Sequence, residues 1–390
     1  MHVRAILCEA RISERHKSAP GRQKAAVGLS NAGLSIGGDI ALEMAVLTSE
    51  PDNIVYVTDD RPGIRRRRIG RGFRYLEANG EAATSQAIQE RIRALAIPPA
   101  WSDVWICPLS NGHLQVTGRD EKGRKQYIYH PKWIEYRDVT KFNELSEFAN
   151  SLSVLRERMD KDLRRPLVPR QKAIAAAVWL LDRTLIRIGN ESYTANGSYG
   201  ITTLTSDHVV AGAADLKFRF QGKAARQWTV KISDRRIANV IRKIQDLPGQ
   251  RLLQYVDADG ETHPISSNDV NSYIGETIGR GFSSKFFRTW GGTTRAAELL
   301  SATPLPAAAR LVRKSLNVAI DRVATELRNT RAVCRQSYIH PAVIEHWEAG
   351  KLTQELTEVT RRARNRPAHL SSLEQGVRIW LEEYGRLEHR

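Results

Sequence analysis

The chain has 390 residues, 41% of them hydrophobic and 26% charged, which is enough for two or three domains with separate cores. Its 60 lysines and arginines against 43 acidic residues give a net charge of +17, which favours a polyanionic partner such as nucleic acid. Cys8, Cys107 and Cys334 exclude a disulfide framework, show no metal spacing and fit a reducing cytoplasm. No apolar run approaches the roughly 20 residues of a membrane span, so no membrane partner is expected.

The first two segments differ in character. Residues 1–51 are predicted to form a basic, disordered or loosely ordered extension. Residues 52–138 are predicted to form a β-rich DNA-binding domain, beginning with a strand at Asn53–Thr58. An arginine run then stands between aromatic residues without any acid, and such runs suit phosphate-backbone contacts better than a merely solvated face. The run comprises Arg65, Arg66, Arg67 and Arg68.

Further strands and one helix complete this segment. Phe73–Leu76 alternates and is followed by Asn79-Gly80, which predicts a hairpin turn. Helical spacing covers Ser85–Leu95 and stops at Pro98-Pro99. Three more alternating stretches are predicted as strands, at Val104–Pro108, His113–Gly118 and Gln126–His130.

Residues 139–350 are predicted to form a mostly helical domain, because apolar residues recur at three- and four-residue spacing. The expected helices are Asn143–Leu163, Gln171–Ile188, Ile237–Gln245, Ser267–Ile278, Ser283–Trp290, Thr293–Ser301, Ala307–Leu327 and Pro341–Ala349. A hairpin interrupts them, with strands at Leu216–Phe220 and Gln227–Ile232 and Lys223 at its tip. Residues 351–390 are predicted as a basic linker followed by the amphipathic helix Leu370–Leu387.

Five separated residues form a set suited to phosphoryl transfer without a metal ion. A tyrosine can attack phosphorus, and arginines can hold the non-bridging oxygens as charge develops. A lysine can protonate the departing alkoxide. The chain supplies Arg187, Lys223, Arg288, Asn329 and Tyr338, each within a distinct motif.

These motifs resemble the type IB DNA topoisomerases, in particular the short poxvirus-like form found in bacteria. The resemblance runs from about Tyr56 to about Gly350. It implies an active site in which Arg187 and Arg288 are the two arginines, Lys223 is the general acid and Tyr338 is the nucleophile. Asn329 stands where poxvirus members carry histidine and bacterial members carry asparagine.

The resemblance also implies the partner and the fold. It implies an α+β protein whose small N-terminal β-rich domain and larger, mostly helical catalytic domain form a clamp around duplex DNA. The expected partner is supercoiled double-stranded DNA, bound by a monomer in the bacterial cytoplasm and nucleoid, with no cofactor and no metal ion. Family positions that contact DNA match Gln126, Tyr127, Tyr129, Tyr193 and Lys285.

Three other interpretations compete with this one. Asp257-Ala-Asp259-Gly follows a strand-like stretch and could hold Mg²⁺, although Asp-Gly is first of all a turn signal. A tyrosine recombinase uses similar Arg, Lys and Tyr groups, but usually carries His-x-x-Arg where this chain has Lys285-Phe-Phe-Arg288. A non-catalytic basic DNA-binding protein would have no reason to carry all five motifs.

Overall fold

The computed structural model describes residues 53–363 and 368–388, without the side chains of Tyr193 and Asn196. The predicted extension at residues 1–51 therefore lies outside the described residues. Sheets and twelve helices occur together in the described residues, and the larger part is mostly helical. The prediction of an α+β fold is confirmed.

The N-terminal part is one antiparallel sheet of five strands in the order β2-β1-β3-β4-β5. Helix α1 (Gln86–Ala94) packs on one face, where Ile88 and Ile92 meet apolar side chains of the sheet. This sheet has two small hydrophobic clusters of its own, separate from the large cluster of the helical part. The strands are β1 (Ile64–Ile69), β2 (Gly72–Leu76), β3 (Ser102–Ile106), β4 (Leu114–Arg119) and β5 (Lys125–Tyr129).

For this part, one predicted strand is wrong, one predicted turn is confirmed and one hairpin was not predicted. Asn53–Thr58 is not a strand, since only Val55 forms an isolated bridge, to Gly112. The turn predicted at Asn79-Gly80 is confirmed, since Gly80 has a φ of 88° and the chain returns so that Leu76 bridges Ala82. A second tight hairpin, which was not predicted, joins β1 to β2 at residues 70–71, where Gly70 adopts a positive φ of 55°. The β1–β2 hairpin was not predicted because the arginine run shows no alternation between polar and apolar residues.

Helix α2 (Pro131–Asn143) was not predicted and begins inside the segment assigned to strands. His130 caps it by accepting a hydrogen bond from the backbone N–H of Lys132, and Pro131 occupies its first turn, as helix starts favour. The helix leads directly from strand β5 to the helical part.

The helical part surrounds one large apolar core. Its central helices meet through side chains such as Phe148 of α3, Leu180 of α4 and Phe287 of α7, all fully buried. Helices α3 to α7 are α3 (Leu145–Leu163), α4 (Arg170–Thr184), α5 (Arg235–Gln245), α6 (Ser267–Ile278) and α7 (Lys285–Ser301). The remaining helices are α8 (Ala309–Leu327), α9 (Arg331–Ser337), α10 (Pro341–Glu348), α11 (Leu352–Arg362) and α12 (Ser372–Tyr384).

Several predicted helix boundaries need correction. Helix α4 stops at Thr184 and not at Ile188, because Leu185 is left-handed with φ 55°. Helix α7 is continuous, although two helices were predicted around Gly291-Gly292. Short helix α9 was not predicted, and residues predicted as the start of a basic linker form helix α11, which buries Leu352, Leu356 and Val359.

Two small antiparallel sheets lie within the helical part. Strands β6 (Val209–Ala211), β7 (Asp215–Gln221) and β8 (Gln227–Ser233) contain the predicted hairpin. Strands β9 (Gln254–Val256) and β10 (Thr262–Pro264) pair across the turn that contains Asp257. In the described part of the chain, no helix combines the length and apolar character that crossing a membrane requires.

Candidate active site

Arg187 lies in an extended segment just beyond helix α4. Its carbonyl accepts a hydrogen bond from the N–H of Ile201 at 2.9 Å, which ties the segment to the next loop. The two segments approach so closely that a Cβ on Gly200 would lie 2.5 Å from the carbonyl oxygen of Arg187. The half-buried guanidinium of Arg187 donates to Oδ1 of Asn329 at 2.7 Å.

Arg288 is the buried arginine of the site and projects from the first turn of α7. Its guanidinium donates to the carbonyl of Leu185, at the end of α4, and to the carbonyl of Leu327 at 2.8 Å, at the end of α8. One arginine therefore binds two of the last carbonyls that helices leave without partners. Burial and the nearby charge of Arg187 lower the pKa of Arg288 to about 10.

Tyr338 follows helix α9 directly, and its half-buried ring lies beside the arginines. The Cζ of Arg288 lies 4.9 Å from the centre of this ring. Burial raises the pKa of the phenol, but the charges of Arg288 and Arg187 outweigh burial, so the net pKa is lower than usual. The two arginines thus make the phenolate, the nucleophilic form of a tyrosine, easier to form.

The peptide groups around Tyr338 are held by two neighbouring helices, α2 and α7. Lys141 of α2 donates to the carbonyl of Ser337 at 3.3 Å. Thr293 of α7 donates to the carbonyl of Tyr338 at 3.4 Å and accepts from the N–H of His340 at 3.1 Å. Lys141 and Thr293 were not singled out from the sequence, because these contacts link distant segments and carry no local signal.

Two buried donors at the site have no hydrogen-bond partner among the described residues: Nε of Arg288 and Nδ2 of Asn329. An unpaired buried donor costs free energy, so the site is built at a cost that a bound acceptor would relieve. The non-bridging oxygens of a phosphodiester are acceptors of the required kind. Asn329 offers Nδ2 because its Oδ1 already accepts from Arg187.

Lys223 does not join this cluster directly. It occupies the exposed tip between β7 and β8, as predicted, within a short 3₁₀ turn that continues through Ala224 and Ala225. The structure thus brings together Arg187, Arg288, Asn329 and Tyr338 and leaves Lys223 on a projecting hairpin.

The expected DNA-contact residues lie in several environments. Tyr127 and Tyr129 of β5 are stacked, with ring centres 6.0 Å apart and planes 11° apart, and Tyr127 is exposed. Gln126 points to the other side of the strand and donates to Asp120 at 2.9 Å. Lys285 is exposed one turn before Arg288, and the side chain of Tyr193 lies outside the described residues.

The four arginines of β1 separate into different environments. Arg65, Arg67 and Arg68 are exposed. Arg66 instead donates to the carbonyls of Trp101 at 2.5 Å and Pro98 at 3.1 Å, and its Cζ lies 4.2 Å from the centre of the Phe73 ring. Cross-strand pairing places Arg65 in one row with Trp105, Thr117 and Tyr127, so Arg65 shares a face of the sheet with Tyr127.

The groups that suggested other chemistry, the Asp257 turn and the Cys334 thiol, have ordinary structural roles. Both backbone N–H groups of Asp259 and Glu261 donate to Asp257, as in a tight turn, and Asp257 also pairs with His263 at 2.6 Å. Within residues 53–363 and 368–388 no group of three or more His, Cys, Asp or Glu side chains is placed to hold a metal ion. Burial raises the pKa of Cys334 to about 12, so its thiol is not activated.

Comparison with known proteins identifies the class to which this site belongs. A family model described as the catalytic core of eukaryotic DNA topoisomerase I matches residues 130–364. A second, described as the N-terminal domain of bacterial DNA topoisomerase IB, matches residues 72–120. The chain belongs to the type IB DNA topoisomerases, which are isomerases.

Individual relatives agree with this assignment. DNA topoisomerase 1B of Acanthamoeba polyphaga mimivirus is 32% identical over 295 residues, which cover 73% of this chain and 88% of the viral protein. DNA topoisomerase I of Monkeypox virus is 20% identical over 240 residues, covering 60% and 72% of the two chains. DNA topoisomerase 1 of Mycosarcoma maydis is 23% identical over 203 residues, 46% of this chain and 20% of the fungal protein.

Proposed function

We propose that this chain relaxes supercoiled duplex DNA by a transient nick in one strand, with Tyr338 as the nucleophile. The observation that carries the proposal is the arrangement of Arg187, Arg288 and Asn329 around the phenol of Tyr338, whose pKa the two arginines lower. This arrangement matches the requirements of a pentacoordinate phosphorus transition state, in which negative charge builds on the non-bridging oxygens.

In the first step, the phenolic oxygen of Tyr338 attacks the scissile phosphorus and displaces the 5′-oxygen of the next nucleotide. Lys223 gives a proton to that oxygen, so the products are a 3′-phosphotyrosine and a free 5′-hydroxyl. Arg187, Arg288 and the Nδ2 of Asn329 hold the non-bridging oxygens. The free strand then rotates, driven by torsional strain, and the 5′-hydroxyl attacks the phosphotyrosine to reseal the DNA.

The cycle requires neither ATP nor a metal ion. The phosphotyrosine ester retains the energy of the broken phosphodiester bond, so resealing needs no added fuel. Arginine side chains supply the positive charge that a divalent cation supplies in other phosphoryl-transfer sites.

DNA binding by two domains that close as a clamp is part of the same proposal. We place the division near residue 138, and the separate hydrophobic clusters of the five-stranded sheet support an independently folded N-terminal domain. Exposed Arg65 and Arg67 share one face of this sheet with Tyr127 and suit a duplex surface. The net charge of +17 supports binding to DNA. We propose that the enzyme acts as a monomer in the bacterial cytoplasm, on the DNA of the nucleoid.

Relaxation of supercoiled plasmid in excess EDTA tests the proposal. The wild-type chain should relax plasmid without ATP, and the Tyr338→Phe variant should not, although it should still retard DNA in a gel. The phenylalanine variant removes only the phenolic oxygen, so loss of relaxation with retained binding isolates the chemical step. A requirement for ATP, or relaxation by the Tyr338→Phe variant, would sink the proposal.

A further inference from the structure

Arg328 is an unusual residue at the edge of the site. It ends helix α8 in the left-handed conformation, with φ 50° and ψ 50°, where glycine would be unstrained. It directly precedes Asn329, whose Oδ1 accepts from Arg187. The Cζ of Arg328 lies 5.9 Å from the centre of the Trp228 ring, within the range of a cation–π contact.

Trp228 connects this contact to the tip of the β7–β8 hairpin. The indole is buried and stacks on Phe220, its cross-strand partner, with ring centres 5.9 Å apart and planes 3° apart. On the tip side it packs against Gly222, where an added Cβ would lie 2.7 Å from the indole Nε1. Gly222 precedes Lys223, so Trp228 supports the backbone that carries the lysine.

We propose that Arg328 is a positioning residue, which couples the Lys223 tip to the Asn329 segment through its contact with Trp228. The inference rests on the proposed function, in which Lys223 protonates the leaving oxygen. Arg328 and Asn329 are consecutive, so one short segment takes part both in holding the phosphate and in orienting the hairpin. Lys223 itself is exposed, and this contact restricts where its tip lies when the site is complete.

Substitution by glycine tests the role of the Arg328 side chain without disturbing the backbone conformation. Arg328→Gly keeps the left-handed conformation at no steric cost, so the end of helix α8 is preserved. A cation–π contact at a partly exposed site corresponds to about a two- to fivefold change in the population of the paired state. We therefore expect single-turnover cleavage to slow by about two- to fivefold, with Arg328→Lys closer to wild type.

The decisive comparison uses DNA in which sulfur replaces the scissile 5′-oxygen. A thiolate leaves without needing a proton, so a defect that acts through the general acid disappears on this substrate. The Lys223→Ala variant should recover on the sulfur substrate, and Arg328→Gly should recover with it. Arg322→Gln, which changes an exposed arginine on the same helix, should cleave both substrates at wild-type rates.

A double variant provides the second readout. If Arg328 acts through Lys223, the Lys223→Ala/Arg328→Gly variant should cleave the oxygen substrate no more slowly than Lys223→Ala alone. Equal slowing of Arg328→Gly on both substrates, or additive effects in the double variant, would overturn the inference and leave Lys223 as the acid. Equal impairment of Lys223→Ala on both substrates would overturn the proposed role of Lys223 and this inference together.

Discussion

At the scale of single residues, Arg187 and Arg288 differ in burial and in their hydrogen-bond partners. Arg288 is buried and bonded to two helix-terminal carbonyls, whereas Arg187 is half-buried and bonded to Asn329. Both charges lower the pKa of Tyr338, but only Arg288 also joins α4, α7 and α8. Substitutions at the two positions should therefore have separable effects on chemistry and stability.

The pH dependence of cleavage tests the electrostatic role of Arg187. In the proposed mechanism the phenolate attacks, so the single-turnover rate should rise with pH and level off above the pKa of Tyr338, which lies below its ordinary value of 10.0. Arg187→Gln removes one of the lowering charges, so its inflection should move to higher pH. Arg183→Gln is the control, since Arg183 is an exposed arginine at the end of α4. An unchanged inflection in Arg187→Gln would contradict this role.

Arg288→Lys keeps a positive charge but loses the planar fork that reaches two carbonyls. Complete loss of one preorganised donor lowers a catalytic rate roughly 10²–10³-fold. The cleavage rate of Arg288→Lys should fall by less than this but stay below that of wild type. Its folding should also weaken by about 1–3 kcal/mol, because a buried carbonyl loses its donor. Thermal melting measures the second effect, and cleavage is then compared at a temperature where both proteins are folded. A wild-type cleavage rate would rule out a catalytic role for the guanidinium.

At the scale of elements, the C-terminal helix α12 belongs to the large apolar core of the helical part, into which it buries Val377, Trp380 and Leu381. Arg156 of α3 binds Asp182 of α4 at 2.8 Å and Glu374 of α12 at 2.7 Å. Burial raises the pKa of Glu374, but its hydrogen bonds and the charge of Arg156 prevail and lower it to about 2. Trp290 of α7 also approaches Glu374, with Nε1 at 3.5 Å. This network fixes α12 against the helix that carries Arg288.

Glu374→Gln should lower stability at neutral pH by about 2–3 kcal/mol, because a lowered carboxyl pKa stabilises the charged, folded form. That stabilisation is present above the unfolded pKa near 4.5 and is lost as pH falls towards the folded value of about 2. Urea unfolding should therefore show a difference in the free energy of unfolding between wild type and variant at pH 7. This difference should become smaller as the solution is acidified. Glu383→Gln, a change on the same helix at a largely exposed salt bridge, is the control. A free-energy difference that stays constant with pH would show that the charge of Glu374 does not cause the loss of stability.

Elements with strong local patterns were predictable from the sequence, and those set by tertiary contacts were not. The β7–β8 hairpin and helix α6 follow from alternation and from apolar spacing. Gly291-Gly292 suggested a break in α7, but these glycines permit close packing: a Cβ on Gly292 would lie 2.5 Å from the carbonyl oxygen of Tyr338. The end of α4 depends similarly on the left-handed Leu185, which no local signal marks.

The five catalytic candidates were identified by motif, but their mutual arrangement was not. The Arg187–Asn329 bond joins residues 142 positions apart, and the Lys141–Ser337 bond joins residues 196 apart. Sequence patterns report local structure, so contacts across such separations emerge only from the folded chain. The same reason explains why Arg66 was grouped with its neighbours, although its guanidinium binds backbone carbonyls between helix α1 and strand β3.

At the scale of the whole molecule, affinity for DNA should depend steeply on salt, because each phosphate contact releases counterions. Replacing both Arg65 and Arg67 by glutamine should reduce the slope of log affinity against log salt by about two. Arg66→Gln is the matched control, since Arg66 is bonded internally and should leave the slope unchanged while lowering stability. A slope that changes equally in both variants would contradict the assignment of this face to DNA.

The central claim, that Tyr338 forms a covalent bond to a DNA 3′-phosphate, is tested most directly by trapping the adduct on end-labelled duplex. Denaturant added during the reaction should leave the 5′-labelled segment attached to the protein and the 3′-labelled segment free. Digestion of the adduct should place the nucleotide on the peptide that contains Tyr338. Attachment of the 3′-labelled segment, an adduct at another residue, or an undiminished adduct in Tyr338→Phe would contradict the account.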